Sequence, residues 1–421
     1  MGFPLMDQLR GVLGMGLLLG VAWAMSEDRK RISWRLVGIG VGLQLALAAL
    51  LLYLPPCRLA FAYLGHLVTA LVAATQAGTS VVLGYLGGGD PPFDVTRPGS
   101  AFILATQSLP LVLLISAISA LLFHWRIMQK IVACFSFLLR KTMGVGGAEG
   151  VGISANIFVG MVEAPLLVQH YVKNLSRSAL FTIMVTGMAT IAGTVLGLYA
   201  TFIGGVLPNA AGHLLTASII SAPAAIVVAR MMIPEPLDAR TEEVDLPSPY
   251  AGSMDAITQG TASGLQLLLN IVAMMIVLIA LVHLVDLGLG LFPNVAGKPL
   301  ALTRIFGWVM APVTWLLGVP WPDATTAGEL MGVKTVLNEL IAYNQLGQLG
   351  PGAMSLRGTT IMAYAMCGFA NPGSVGIMIA GMSTMAPERR SEIAALGFRS
   401  LLAGTMATCM TGIVVGWLTW G

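Results

Sequence analysis

The chain has 421 residues, of which 56% are hydrophobic and 10% charged, against the ~25% charged expected of a soluble domain. This composition excludes a water-soluble enzyme. It also excludes intrinsic disorder, which needs low hydrophobicity and high charge. The net charge of +3 does not point to nucleic acid, because the basic residues flank apolar runs where helix orientation in a bilayer explains them. A spanning helix needs ~20 residues, so the length suits about eight to ten spans with short connections. Cys57, Cys134, Cys367 and Cys409 have no metal or disulfide spacing.

The first span is predicted over Phe3 to Met25. It lacks the basic start and small-residue cleavage site of a signal peptide. A basic loop with Arg29, Lys30, Arg31 and Arg35 leads to span two, Leu36 to Leu54, which Pro55-Pro56 stops. Residues 58–88 are apolar but interrupted by His66, Gln76 and glycines, and read as an interfacial helix. A Gly-rich loop to Pro92 precedes span three, Ala101 to His124, and a second interfacial stretch follows between Arg126 and Lys141.

Residues 144–171 crowd glycines around Glu149, Asn156, Glu163 and Pro165. Unpaired polar groups facing hydrocarbon cost several kcal/mol, so this segment reads as a re-entrant hairpin buried in protein. Spans four (Ser178 to Ile203) and five (Leu214 to Met232) precede a polar linker at 234–256. Span six is Leu265 to Leu291, and a second hairpin is expected over 303–345. Span seven, Thr359 to Met382, is interrupted at Asn371-Pro372-Gly373, and span eight is Ile393 to Trp420.

The fold class is therefore an all-α polytopic membrane protein with about eight transmembrane helices and two re-entrant hairpins. Fifteen Lys and Arg fall on one side of this topology and seven on the other. The asymmetry places both termini outside the cytoplasm. The hairpins then enter from opposite sides, each followed by two spans, which is the inverted-repeat plan of secondary transporters.

Three constellations carry the chemistry. In the first, Gly160 and Pro165 break a helix beside Asn156 and Glu163; Glu163 either faces a ligand or caps the hairpin tip. In the second, Asn338 and Glu339 can bind vicinal hydroxyls, while a Lys334–Glu339 ion pair is poorly served by a spacing of five. In the third, Asn371 and Ser374 share a helical face, or Asn371 only satisfies carbonyls freed by Pro372. His283 and Asp286 have the spacing of a proton relay but lie near a span end, where solvation explains them.

The runs Ser154-Ala-Asn156-Ile-Phe-Val-Gly-Met-Val-Glu163-Ala-Pro, Gly332-Val-Lys-Thr-Val-Leu-Asn338-Glu339-Leu-Ile-Ala-Tyr343 and Tyr364-Ala-Met-Cys-Gly-Phe-Ala-Asn371-Pro-Gly-Ser374-Val-Gly-Ile resemble, in order, three signatures of the concentrative nucleoside transporters. The resemblance extends over essentially the whole chain. It implies a homotrimer in a bacterial plasma (inner) membrane, with an elevator-like transport domain moving against a scaffold and carrying nucleosides with Na⁺, or with H⁺ in some members. No organic cofactor and no enzymatic step are implied. Residues 1–130 would hold scaffold spans one to three and 233–302 the linker with scaffold span six. Residues 131–232 and 303–421 would form the transport domain.

By position, Glu339, Asn338, Asn371 and Ser374 resemble the ribose contacts, and Glu163 the glutamate on the base side. Asn156, Val159, Thr190 and Ile191 fall where the family's Na⁺ ligands lie, with Thr190 in place of the usual serine. Relatives carry Gly-Gln-Thr-Glu or Gly-Gln-Asn-Glu at the first tip. Here Met161 and Val162 put apolar groups toward the base, and Pro372-Gly373 replaces a more typical aromatic or leucine with serine. The alternative readings are a gate or regulatory membrane protein of the same fold, without transport, and an H⁺-coupled carrier of a different ribosyl solute.

Overall fold

A computed structural model describes residues 4–96, 101–161, 163–235, 250–295, 297–350 and 352–419. Val162 and the linker acids Asp238, Glu242, Glu243 and Asp245 lie outside the described residues. The protein is helical throughout, and the described residues contain no sheet, only a bridge between Val295 and Lys298.

Three helices come first: α1 (Pro4–Ala24), α2 (Trp34–Tyr53) and α3 (Pro55–Leu83). A π-turn at Leu104–Ser108 leads into α4 (Leu111–His124). Five shorter elements follow: α5 (Ile127–Met143), α6 (Gly147–Asn156), α7 (Glu163–Leu167), α8 (Gln169–Val172) and α9 (Arg177–Ala189). Next are α10 (Gly193–Ile203), α11 (Ala210–Met232) and the long α12 (Ser253–Leu289). The chain closes with α13 (Leu302–Leu316), α14 (Ala324–Val336), α15 (Glu339–Gly347), α16 (Leu356–Ala365), α17 (Pro372–Met385) and α18 (Arg390–Leu418).

A repeat is visible in the order of the elements. Helix α5 precedes hairpin α6–α7/α8, the broken span α9–α10 and the long α11. Helix α13 precedes hairpin α14–α15, the broken span α16–α17 and the long α18. The second hairpin is thus α14–α15, shorter than the expected 303–345, because α13 is the counterpart of α5. Glycine makes that packing possible. A Cβ on Gly328 would stand 2.4 Å from the Gly307 carbonyl, so α13 and α14 meet backbone to backbone.

One further expectation changes. Span four is cut into α9 and α10 by extended residues at Thr190–Ala192. The stretch read as an interfacial helix, 58–88, is one continuous helix, α3, as far as Leu83, closed by a 3-10 turn at Gly84–Gly87; by length and composition it is also long and apolar enough to cross a membrane. Its polar side chains are satisfied locally: Thr69 and Thr75 donate to the Gly65 and Leu71 carbonyls, and Gln76 to Gly88.

The charged ends sort onto two faces. Glu27, after α1, accepts from Arg177 at the start of α9 and from Arg399 on α18, and its N–H donates to the Met232 carbonyl at the end of α11. At the opposite face Arg357, on α16, donates to Thr419 at the end of α18. Lys334 belongs to neither face. Although the tally of fifteen and seven takes in every Lys and Arg, its side chain is 0% exposed inside α14.

Candidate functional site

The hairpin tips and the two broken spans meet at a cavity of about 150 Å³. Each break has a local cause. Asn371 sits just before Pro372, which cannot donate to the helix; its Oδ1 accepts from the Ser374 N–H at 2.9 Å and starts α17. Asn338 does the same for α15, accepting from the Ile341 N–H at 2.9 Å. Both asparagines are therefore helix caps as well as cavity residues.

Glu339 follows directly, in the first turn of α15, where the helix dipole favours a carboxylate. It is only 5% exposed. Its Oε1 accepts from the Tyr199 hydroxyl and its Oε2 from the Asn371 amide, both at 2.9 Å. Each oxygen keeps lone-pair capacity for another donor. Tyr199 itself is fixed by stacking on Tyr343 at 5.0 Å between centroids, and Tyr343 donates to the Ala363 carbonyl at 2.6 Å. Lys334 makes no ion pair with Glu339 at hydrogen-bond range, and its Nζ is buried with no hydrogen-bond partner. Ser374 is 7% exposed and lines the same cavity.

At the first tip, Gly160, Met161 and Glu163 line the cavity. Glu163 folds back over the tip: a Cβ on Gly160 would lie 2.2 Å from its Oε2, so a side chain there would displace the carboxylate. Met161 is 9% exposed and packs toward Gly187 on α9.

A second group of polar atoms lies where the first hairpin meets the break in span four. Thr190 donates from its hydroxyl toward the carbonyls of Asn156 (2.9 Å) and Thr186 (2.8 Å). Ser218, on α11, donates to the Ile157 carbonyl at 3.0 Å and reaches Ile191 at 3.5 Å. The Gly193 N–H donates to the Phe158 carbonyl at 2.8 Å, joining the two breaks. Asn156 uses its Nδ2 on the Ile183 carbonyl (3.3 Å), while its Oδ1 is buried without a hydrogen-bond partner. The structure thus brings Asn156, Thr190 and Ile191 together, with Val159 on the connecting turn. An orphaned amide oxygen, a hydroxyl and freed carbonyls form an all-oxygen set, which suits a hard cation. No group of three or more His, Cys, Asp or Glu able to hold a metal exists among the described residues.

His283 and Asp286 do not form a relay. Asp286 accepts from the Leu302 N–H at 2.6 Å and so holds the start of α13, and His283 lines a mostly apolar groove between α12 and the turn that precedes α4.

Comparison with known proteins gives the family. Residues 213–416 match the Na⁺ dependent nucleoside transporter C-terminus and residues 13–86 the corresponding N-terminus, while residues 105–206 match a domain described as nucleoside recognition. The chain belongs to the Na⁺-dependent nucleoside transporter family. It is 35% identical to an uncharacterized transporter of Haemophilus influenzae, with 98% of each chain covered. It is 31% identical to the putative nucleoside permease NupX of Escherichia coli, over 98% of this chain and 99% of that one. It is 35% identical to human solute carrier family 28 member 3, covering 98% of this chain and 60% of that longer protein. CNTnw in an inward-facing substrate-bound state superposes with a TM-score of 0.88 at 32% identity, each chain 98% covered. The chain is therefore a multi-pass membrane transporter with the elevator-type fold, and not an enzyme.

Reading the sequence missed three members of the transporter's polar interior: Tyr199, Ser218 and Asn270, the last on α12 at the cavity wall. A polar side chain inside each of three apolar spans is the signal that was available.

Proposed function

We propose that this transporter carries out its family's sodium-coupled nucleoside symport with Glu339 as the ribose anchor. The observation that carries the reading is the Glu339 carboxylate, gripped by Tyr199 and Asn371 yet open to the cavity shared with Glu163. Vicinal 2′ and 3′ hydroxyls donate to the remaining lone pairs. Asn338, Asn371 and Ser374 supply the other polar contacts on that side. The base lies toward Met161 and Glu163. Na⁺ is held by the Asn156 and Thr190 side chains and the Val159 and Ile191 carbonyls, so its binding locks the first hairpin against the break in span four.

Spans one to three and six form the scaffold, and residues 131–232 and 303–421 move as the transport domain. Three copies assemble in the inner membrane, with both termini on the periplasmic side. The exposed apolar length of α12, with Ile276, Ile279 and Leu284 facing outward, supports burial of that helix in an assembly or in lipid.

The test is uptake of radiolabelled nucleosides into proteoliposomes with and without an inward Na⁺ gradient. Gradient-driven accumulation that Glu339→Gln reduces at least tenfold is expected. Absence of gradient-driven uptake for every common ribonucleoside would favour the non-transporting reading.

A further inference from the structure

The cavity has two kinds of wall. The tips and broken spans form one. The other is a single face of α12, where Leu267, Asn270, Ile271, Met274 and Leu278 recur at helical spacing. Asn270 is the one polar side chain that α12 contributes. It stands at the middle of the 37-residue Ser253–Leu289 helix, the place where a polar group is hardest to keep in lipid.

Its amide is oriented. Gln266, one turn earlier, donates from Nε2 to the Asn270 Oδ1 at 3.1 Å. That bond turns the amide oxygen along α12 toward Gln266. The Asn270 NH₂ makes no hydrogen bond among the described residues and stands at the cavity. The facing tip carries the thioether of Met161, which donates nothing. A donor on the α12 side thus faces a tip without one.

Helix α12 is also mechanically separate from the rest of the site. A Cβ on Gly260 would sit 2.7 Å from the Ala120 Cβ, and one on Gly264 2.9 Å from the Leu113 Cα. Such contacts fasten α12 along α4. Its backbone approaches α13 only lightly, and toward the broken span α17 it presents side-chain tips alone, Met274 and Leu278 beside Gly373.

We infer that Asn270 donates to the acceptor edge of the nucleobase, and that it does so in only one position of the moving site. This rests on the site assignment above. The ribose anchor travels with α10, α15 and α17, so its contacts persist throughout transport. The Asn270 contact stays with α12 and breaks when the site slides past. Base discrimination is then unequal at the two membrane faces, while ribose discrimination is equal.

The experiment uses the full-length transporter in uniformly oriented proteoliposomes, with half-saturation measured separately for influx and efflux. Asn270→Leu keeps α12 apolar and should leave thermal unfolding unchanged. It should raise half-saturation for adenosine at one face by about 5- to 10-fold, the size of one neutral hydrogen bond. The other face should stay within about twofold, well below that bond's worth. Met161→Gln, on the moving tip, should shift both faces together. Of 3-deaza- and 7-deaza-adenosine, one should bind the wild type weakly at that same face and lose its disadvantage in Asn270→Leu. Equal shifts at both faces, or none at either, would overturn the inference. Retained uptake by Glu339→Gln would instead remove the site assignment itself, so the two failures are distinguishable.

Discussion

Asn371 donates its amide to Glu339 across 32 residues of sequence, at 2.9 Å, and so ties the tip of the second hairpin to the break in span seven. The same side chain caps α17 with its other end. One residue therefore holds a helix start and a carboxylate in fixed relation.

The first prediction follows from that geometry. A hydrogen bond from a ribose hydroxyl to ionised Glu339 is worth ~1.5–3 kcal/mol, or roughly 10- to 100-fold in affinity. Glu339→Gln should lose uptake on that scale, and 2′,3′-dideoxynucleosides should compete poorly with the parent. Tyr199→Phe removes one of the two bonds that aim the carboxylate and should cost less, about 3- to 10-fold. The readouts are competition of labelled uptake and half-saturation. Full transport by Glu339→Gln would take this residue out of the site.

For the cation, Asn156→Ala removes the buried orphan oxygen and Thr190→Ala removes the hydroxyl between the breaks. Each should raise the Na⁺ concentration for half-maximal uptake by roughly 10-fold, corresponding to about 1.4 kcal/mol. Thermal stabilisation by added NaCl should weaken in parallel. An unchanged Na⁺ dependence in both variants would contradict the assignment.

A structural prediction concerns Glu149 and Arg230. Arg230 donates to both oxygens of Glu149 at 2.9 and 2.7 Å, to Ser178 at 2.7 Å, and also pairs with Glu235. The Glu149 and Arg230 side chains are 5% and 11% exposed. Arg230→Met leaves Glu149 buried and uncompensated, a change that costs ~3–5 kcal/mol. The expected outcome is a clear drop in unfolding temperature, partly recovered by adding Glu149→Gln. No drop on Arg230→Met alone would mean that the pair is not what anchors α6 to α11.

At the face that gathers Glu27, Arg177 and Arg399, a pH effect is expected. Partial burial pushes the Glu27 carboxyl up, but hydrogen bonds and charge from Arg177 and Arg399 outweigh it and hold the carboxyl below its ordinary 4.5. The folded value is depressed, so the contribution is complete above that ordinary value. It is lost as pH falls through the lowered one. Glu27 is partly exposed, so the effect is small, under about 1 kcal/mol. Glu27→Gln should lower the unfolding temperature slightly at pH 7, and the difference should vanish in strongly acidic buffer. A difference that persists there would mean that the carboxylate's charge is not its source.

The first hairpin and the break in span seven were legible because Gly, Pro and Asn mark them in otherwise apolar surroundings. The break at Thr190–Ala192 was not, since it is built of small and apolar residues and its stop depends on Gly193 bonding to Phe158 in another element. Helix α3 was legible as an apolar helix, but not in its unbroken length. Its polar residues looked disruptive, but threonine hydroxyls bond to carbonyls of their own helix. Tyr199 was invisible as a site residue because its partner lies 140 residues away. The residue types that bind were readable, and the residues that aim them were not.

The caps at Asn338 and Asn371 have a thermodynamic consequence. Each is held by the backbone of its own helix, so neither has to be immobilised when a ligand arrives. Ordering a side chain on binding typically costs ~0.5–1.5 kcal/mol, and here that loss is taken during folding. A nucleoside entering this cavity gives up its own freedom while the site gives up little. Association should therefore be enthalpically favourable with only a modest entropic penalty from the protein.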